Sequence, residues 1–283
     1  MEKNLQELLS MTNSQNRFPL DDEYLDEDGY IKCNNCHTRR RTDDYLIIDC
    51  ACDREARERE RIAEFKRMTE HQRKVNMLKS LREKSLLGER YRDCTFEDSV
   101  IVSEKFQTVL TRCERYCSIA DEVLAKGYGL YIYGASCGTG KTHLTACMCN
   151  ALLDQYQKCM FTNITDISKV IMATFNGRGD TDRVIKQYVD VDFLFLDDIG
   201  TEVVKKNEGD NWLQNQIYEI INLRYNNLKP TIFTSNYSLA ELTEKRGLWH
   251  KTVDRIAEMS SAIINLEGES FRLRKKKNSS VPF

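Results

Sequence analysis

The chain has 283 residues, of which 30% are charged, and a net charge of only −2. That length suits one medium domain with a smaller module attached, and the charge balance excludes a global basic field for nucleic acid, so any such contact must be local. No long apolar run and no basic start with an apolar core occurs, so no membrane partner is expected and the expected location is cytoplasmic; eleven cysteines, an odd total, argue against a disulfide scaffold.

Residues 1–30 read as a polar, acidic arm with a short helical candidate at Leu5, Leu8 and Leu9. Cys33-Asn-Asn-Cys36-His37 follows, then, after a gap, Cys50-Ala-Cys52. Thiolates paired this closely can converge on one tetrahedral Zn²⁺, so Cys33, Cys36, Cys50 and Cys52 are the predicted zinc ligands. His37 is an alternative to one thiolate, and unrelated free thiols are the competing reading. A module this small has little core of its own, so metal binding would supply its folding energy. A redox Cys-x-x-Cys is disfavoured because no βαβ pattern surrounds it.

From 54 to about 85 the chain is dense in Arg, Glu and Lys, with Ile62, Phe65, Met68, Val75, Leu78 and Leu81 at mostly helical spacing. This predicts a long amphipathic helix, either binding a partner or solvated and packed by one narrow stripe. The predicted organisation is therefore an arm and zinc module over 1–53, a linker helix over 54–87, and an α/β domain over 88–283. Tyr91 and Phe96, at the entry to that domain, either stack near a base or belong to its core. A helix over 103–125 precedes the central stretch.

That stretch is Gly129-Leu-Tyr-Ile-Tyr-Gly134-Ala-Ser-Cys-Gly138-Thr-Gly140-Lys141-Thr142-His143. It reads as a buried strand, a glycine-rich turn and the first turn of a helix, which is the phosphate-binding loop, with Ala135 where the strict pattern has glycine. Gly138 and Gly140 allow positive φ and a close approach of backbone N–H groups to phosphate oxygens, and the helix start adds its positive dipole end. Lys141 supplies charge to the β- and γ-phosphates, and the Thr142 hydroxyl joins a Mg²⁺ shell. The predicted nucleotide-binding set is Gly138, Thr139, Gly140, Lys141, Thr142 and His143, together with Asp197.

Further elements follow as a helix over 142–153, a strand over 159–163, a helix over 164–174 and a turn over 176–181. The apolar run from 192 ends in Asp197-Asp198, the Walker B pattern. Asp197 would hold Mg²⁺ opposite Thr142, and Asp198 would orient or deprotonate the attacking water. A helix over 211–225, a strand over 230–235 and short helices over 240–245 and 252–259 complete the alternation, which predicts a mostly parallel sheet. Strand ends converge at one edge of such a sheet, so Asn236 can lie between the two Walker strands and touch the γ-phosphate or the water.

The cysteine knuckle, the loop from Gly134 to Leu144, Leu196-Asp-Asp-Ile-Gly-Thr-Glu202, Thr234-Ser-Asn236 and Glu269-Ser-Phe-Arg272 together resemble the DnaC/DnaI-type replicative helicase loaders and the related IstB transposition ATPases. The resemblance covers roughly 88–275. It implies an AAA+ ATPase using ATP and Mg²⁺ that assembles on a ring helicase, grips single-stranded DNA in its ATP state and hydrolyses ATP to release. It also implies that Arg255 reaches a neighbour's γ-phosphate in an assembled oligomer and that Arg272 is a sensor arginine near the same nucleotide; a surface ion pair is the alternative for each. Asp198 stands where many relatives carry Glu, a shorter reach for the same carboxylate. The basic run 272–277 either contacts DNA phosphate or is solvated. Three functions compete: a helicase loader, which the zinc knuckle favours; a transposition ATPase of the IstB kind; and a zinc-dependent adaptor with nucleotide as a switch.

Overall fold

The computed structural model describes residues 23–40, 50–174, 180–201, 208–268 and 270–271, so the helical candidate at Leu5, the sensor candidate Arg272 and the basic tail lie outside the described residues. The chain forms two compact units, Met1–Val75 and Asn76–Phe283.

In the first unit, β1 (Glu23–Leu25) and β2 (Ile31–Cys33) pair antiparallel as a short hairpin that the sequence reading did not foresee. Ile31, Cys33 and Cys50 are its buried hydrophobic residues among those described, too few to hold a fold by apolar burial. Helix α1 (Ala51–Lys84) starts immediately after Cys50 and runs 34 residues. Its exposed face is laced with ion pairs one turn apart, Glu55 with Arg59 and Glu70 with Lys74. The expected apolar stripe is only partly used. Leu78 and Leu81, in the second unit, pack on its core, whereas Ile62, Phe65, Met68 and Val75 are exposed. Spacing specifies a stripe but not whether anything covers it.

The second unit is a parallel sheet between two layers of helices. After a 3₁₀ turn at Glu89–Tyr91 come α2 (Glu104–Ser118) and α3 (Ala120–Lys126), which break the single helix expected over 103–125 at Ile119. The alternation then runs β3 (Gly129–Tyr133), α4 (Lys141–Asp154), β4 (Cys159–Asn163), α5 (Ile164–Thr174), α6 (Thr181–Asp190), β5 (Phe193–Ile199), α7 (Glu208–Asn226), β6 (Thr231–Ser235), α8 (Leu239–Glu244), α9 (His250–Met259) and β7 (Ser260–Asn265). Strand order is β4-β5-β6-β3-β7 with every pairing parallel. Helix α6 and strand β7 were not anticipated.

Side chains alternate across the strands with a period of two, which splits the core. Leu130, Ile132, Phe193, Phe195 and Ile232 face α2, α3 and α4, joined by Phe106, Cys113, Met148 and Leu152. Tyr131, Leu194, Leu196 and Phe233 face the other way, against Ile167, Ile185, Ile220 and Ile256 of α5, α6, α7 and α9. Tyr91 and Phe96 pack at the edge of the first cluster, the core reading of the two offered above. Because α4 carries the chain from β3 to the far edge at β4, β6 is left to insert between β3 and β5. That crossover brings the C-terminal ends of three strands together, where ligands bind in sheets of this kind. Among the described residues no helix is long and apolar enough to cross a membrane.

Candidate nucleotide and metal sites

The phosphate loop takes the backbone its glycines allow. Gly138 has φ 82° and Gly140 φ 95°, both in the left-handed region that side chains resist. Gly134 is glycine for another reason: a Cβ there would stand 2.2 Å from the Leu266 carbonyl oxygen, just past β7. The loop also leans on residues far along the chain, since the Phe271 N–H donates to the Gly138 carbonyl at 2.9 Å and the Phe271 ring meets Phe106 edge-on at 5.4 Å. Arg272, the next residue, is outside the described set.

Lys141 opens α4 and folds into the loop, donating to the carbonyls of Gly134 (2.9 Å) and Ser136 (3.1 Å) and to the Thr139 hydroxyl (3.4 Å). These acceptors satisfy an ammonium that is otherwise buried at the head of α4. His143 is half-buried, with Nε2 at 3.0 Å from the Ser99 hydroxyl and 3.7 Å from the Cys147 thiol, so its side chain ties α4 to the segment ahead of α2. Burial lowers its pKa.

Thr142 lies across from β5, its hydroxyl donating at 3.2 and 3.1 Å to the two carboxylate oxygens of Asp197. Burial raises the Asp197 pKa, opposed by hydrogen bonds from Thr234 and Thr142. A carboxylate facing a hydroxyl is an all-oxygen donor pair suited to a hard divalent cation. Asp198 has φ 58°, and the pairing of β5 with β6 shifts register between Leu196 and Ile199. A non-glycine residue held there costs about 1–3 kcal/mol and persists only when its surroundings fix it. They do: Asn236 Nδ2 donates to the Asp198 carboxylate at 2.9 Å, and the Thr201 hydroxyl to its carbonyl at 2.8 Å. Asn236 therefore meets the second acid directly. Beyond it, Ser235 Oγ donates to the Ile199 carbonyl at 2.6 Å, and Arg246 bonds the carbonyls of Gly200 and Thr201.

Two residues missed by the sequence reading belong to this group. Thr234, 2% exposed, lies between the two acids, and Arg246 braces the turn that follows them. Arg255 does not join it. On α9, Arg255 pairs with Glu258 at 2.7 Å and lies over the Tyr225 ring at 4.5 Å.

In the first unit the sulfurs of Cys33, Cys36, Cys50 and Cys52 all lie within 4.8 Å of one another. The Asn35 N–H points at the Cys33 sulfur (3.4 Å), and Arg40 donates to the Cys50 sulfur at 3.2 Å while bonding Glu23 at 3.2 Å. Hydrogen bonding with Thr38 holds the Cys36 thiol down to about 6, whereas Cys52, hydrogen-bonded to Cys36 and partly buried, is pushed up to about 12. Four sulfurs this close together form a donor set that fits zinc. His37 is turned away, with Nδ1 at 3.1 Å from the Tyr24 hydroxyl. The four-thiol set therefore needs no histidine.

Residues 128–279, more than half of the chain, match the family model described as IstB-like ATP binding protein. The chain belongs to the IstB-like ATP-binding family. It is similar to the replicative helicase loader DnaC of Escherichia coli K12, 26% identical over 185 residues that cover 65% of this chain and 71% of that protein. The DnaC of Buchnera aphidicola from Baizongia pistaciae is 25% identical, covering 67% and 73%. The crystal structure of the DnaC helicase loader superposes with a TM-score of 0.55 at 26% identity, covering 64% of this chain and all of that one. DnaI, at 21% identity and a TM-score of 0.54 over 64% of this chain and 95% of that one, shares the fold. The five-stranded parallel sheet of this family member is thus shared with the DnaC helicase loader.

Proposed function

We propose that this chain is an ATP-dependent helicase loader: it binds and hydrolyses ATP to place a ring helicase on single-stranded DNA. The observation that carries the reading is the contact of Thr142 with Asp197, which joins the phosphate loop to the acid-tipped strand in a chain whose named relatives are helicase loaders. The loop N–H groups with Gly138, Thr139, Gly140 and Lys141 hold the β- and γ-phosphates. Thr142 and Asp197 hold Mg²⁺, which when bound neutralises charge on those phosphate oxygens. Asp198 takes the proton of the attacking water while Asn236 fixes its carboxylate. Arg255 completes the site of a neighbouring copy, and Arg272 acts near the same nucleotide; self-association on the helicase ring is then required for full turnover.

The zinc module over 1–53 and the linker helix over 54–87 dock the helicase in this reading, while the domain over 88–283 works on DNA. Metal analysis of the purified full chain should give about one zinc per chain, lost in Cys36→Ser; a metal-free chain removes the zinc module. A pull-down with the replicative helicase of the same host, with and without ATP, tests the loader function. Nucleotide-dependent capture together with single-strand-stimulated hydrolysis supports it. Absence of capture, with hydrolysis stimulated by duplex DNA and a transposase instead, favours the second reading, which the IstB-like family match motivates.

A further inference from the structure

We propose that Thr234 is a positioning residue that sets both acids of the hydrolytic site at once. The proposal rests on the reading of that site as a Mg²⁺-dependent ATPase centre. A hydroxyl offers one proton and two lone pairs. Thr234 donates its proton to Asp197 Oδ1 at 2.6 Å and accepts the Asp198 N–H at 2.8 Å.

Each half of that arrangement has a consequence. At Asp197, the bond to Oδ1 holds the carboxylate plane so that both oxygens face the Thr142 hydroxyl, Oδ1 at 3.2 Å and Oδ2 at 3.1 Å. At Asp198, the left-handed turn and the register shift take the backbone N–H out of the β5–β6 ladder. A buried N–H without a partner is costly, so a group on β6 must replace the lost main-chain acceptor. The Thr234 hydroxyl is that group, and at 2% exposure no solvent stands ready to substitute for it. The same side chain therefore fixes the rotamer of the metal-facing acid and the backbone that aims the water-facing one. Asn236, two residues on, completes the second task by holding the Asp198 carboxylate.

The test uses the full-length protein and Mg²⁺-dependent ATP turnover, comparing Thr234→Val, Thr234→Ser and Thr234→Ala. Removing an outer hydrogen-bond partner of a ligand costs about 10–100-fold in metal affinity or activity. Thr234→Val is expected to lower kcat by about that factor and to raise the Mg²⁺ midpoint about 10-fold, with ATP affinity in chelator changed less than about 2-fold. Thr234→Ser keeps the hydroxyl and should stay within about 3-fold of wild type in both readouts. Should Thr234→Val not fold, Thr234→Ala against Thr234→Ser makes the same comparison, since both lack the methyl and only Ala lacks the hydroxyl. A Val variant with wild-type kcat and Mg²⁺ midpoint overturns the proposal, and so does a Ser variant as impaired as Ala, which would assign the effect to methyl packing. A wild-type chain with no Mg²⁺-dependent binding or turnover refutes the ATPase reading itself, a result distinguishable from either.

Discussion

The two ends of the parallel sheet are built on opposite plans. At the C-terminal end, backbone regularity is given up: β5 slips register against β6, Asp198 adopts a left-handed turn, and polar side chains rather than ladder bonds hold the strand tips. At the N-terminal end a single fully buried guanidinium does the joining. Arg224 of α7 donates to the carbonyls of Tyr188, Val189, Val191, Asp192 and Pro230 and to the Thr231 hydroxyl, tying the end of α6 to the starts of β5 and β6. Burial pushes its pKa down to about 9, which leaves it protonated at neutral pH. One end uses its polar groups to hold an irregular strand tip, the other for cohesion, and substitutions should separate the two.

The largest separation is expected at the carboxylate edge. Asp198→Asn should retain ATP binding while kcat falls about 10²–10⁴-fold, the usual worth of a general base; steady-state turnover alongside equilibrium binding measures both, and a variant with normal turnover removes Asp198 from the role. Lys141→Ala should weaken nucleotide binding by about 2–5 kcal/mol, read by titration with a fluorescent analogue, with little change in Tm. At the opposite edge, Arg224→Met leaves five carbonyls short of their donor and should cost about 3–5 kcal/mol of stability, a fall in Tm of about 10 °C, while the folded fraction binds ATP normally. If Arg224→Met instead altered kcat at unchanged Tm, the division between the two ends would be wrong. The smallest effect belongs to Lys229→Ala, which removes a half-exposed ion pair with Asp192 at 3.3 Å close to Arg224. Chemical denaturation should show about 0–1 kcal/mol.

What the sequence disclosed follows the same division. Strands β3, β5 and β6 were legible because apolar runs end in chemistry, and the meeting of Thr142 with Asp197 follows from that pattern. Strand β7 was not. Ser260-Ser-Ala-Ile-Ile-Asn is a half-exposed edge strand in which only the two isoleucines are strong β-formers, and its seat depends on glycines in the partner, where a Cβ at Gly129 would meet the Met259 carbonyl at 2.8 Å. Helix α6 did carry a signal, the Asp180 side chain accepting the Asp182 N–H at its start, overlooked beside a glycine-rich approach. Thr234 stood in the Thr234-Ser-Asn236 string without a role of its own, because in an apolar strand a threonine reads as a β-branched filler, whereas its hydroxyl bonds the Asp197 carboxylate and the Asp198 N–H. On α1 the periodicity was legible, while Phe65 and Met68 stay exposed and only Leu78 and Leu81 are packed, which the spacing alone does not distinguish.

The contact of Phe271 with the phosphate loop has a bearing on how the protein comes into being. Gly138 is synthesised early, yet its carbonyl is capped by an N–H well over a hundred residues downstream, and Gly134 packs against a carbonyl that follows the last strand. A growing polypeptide on the ribosome has the glycine turn in hand long before it has the walls that shape it. The shape of this turn should therefore be set in one late step, once Leu266 and Phe271 have been made and can fold back on it.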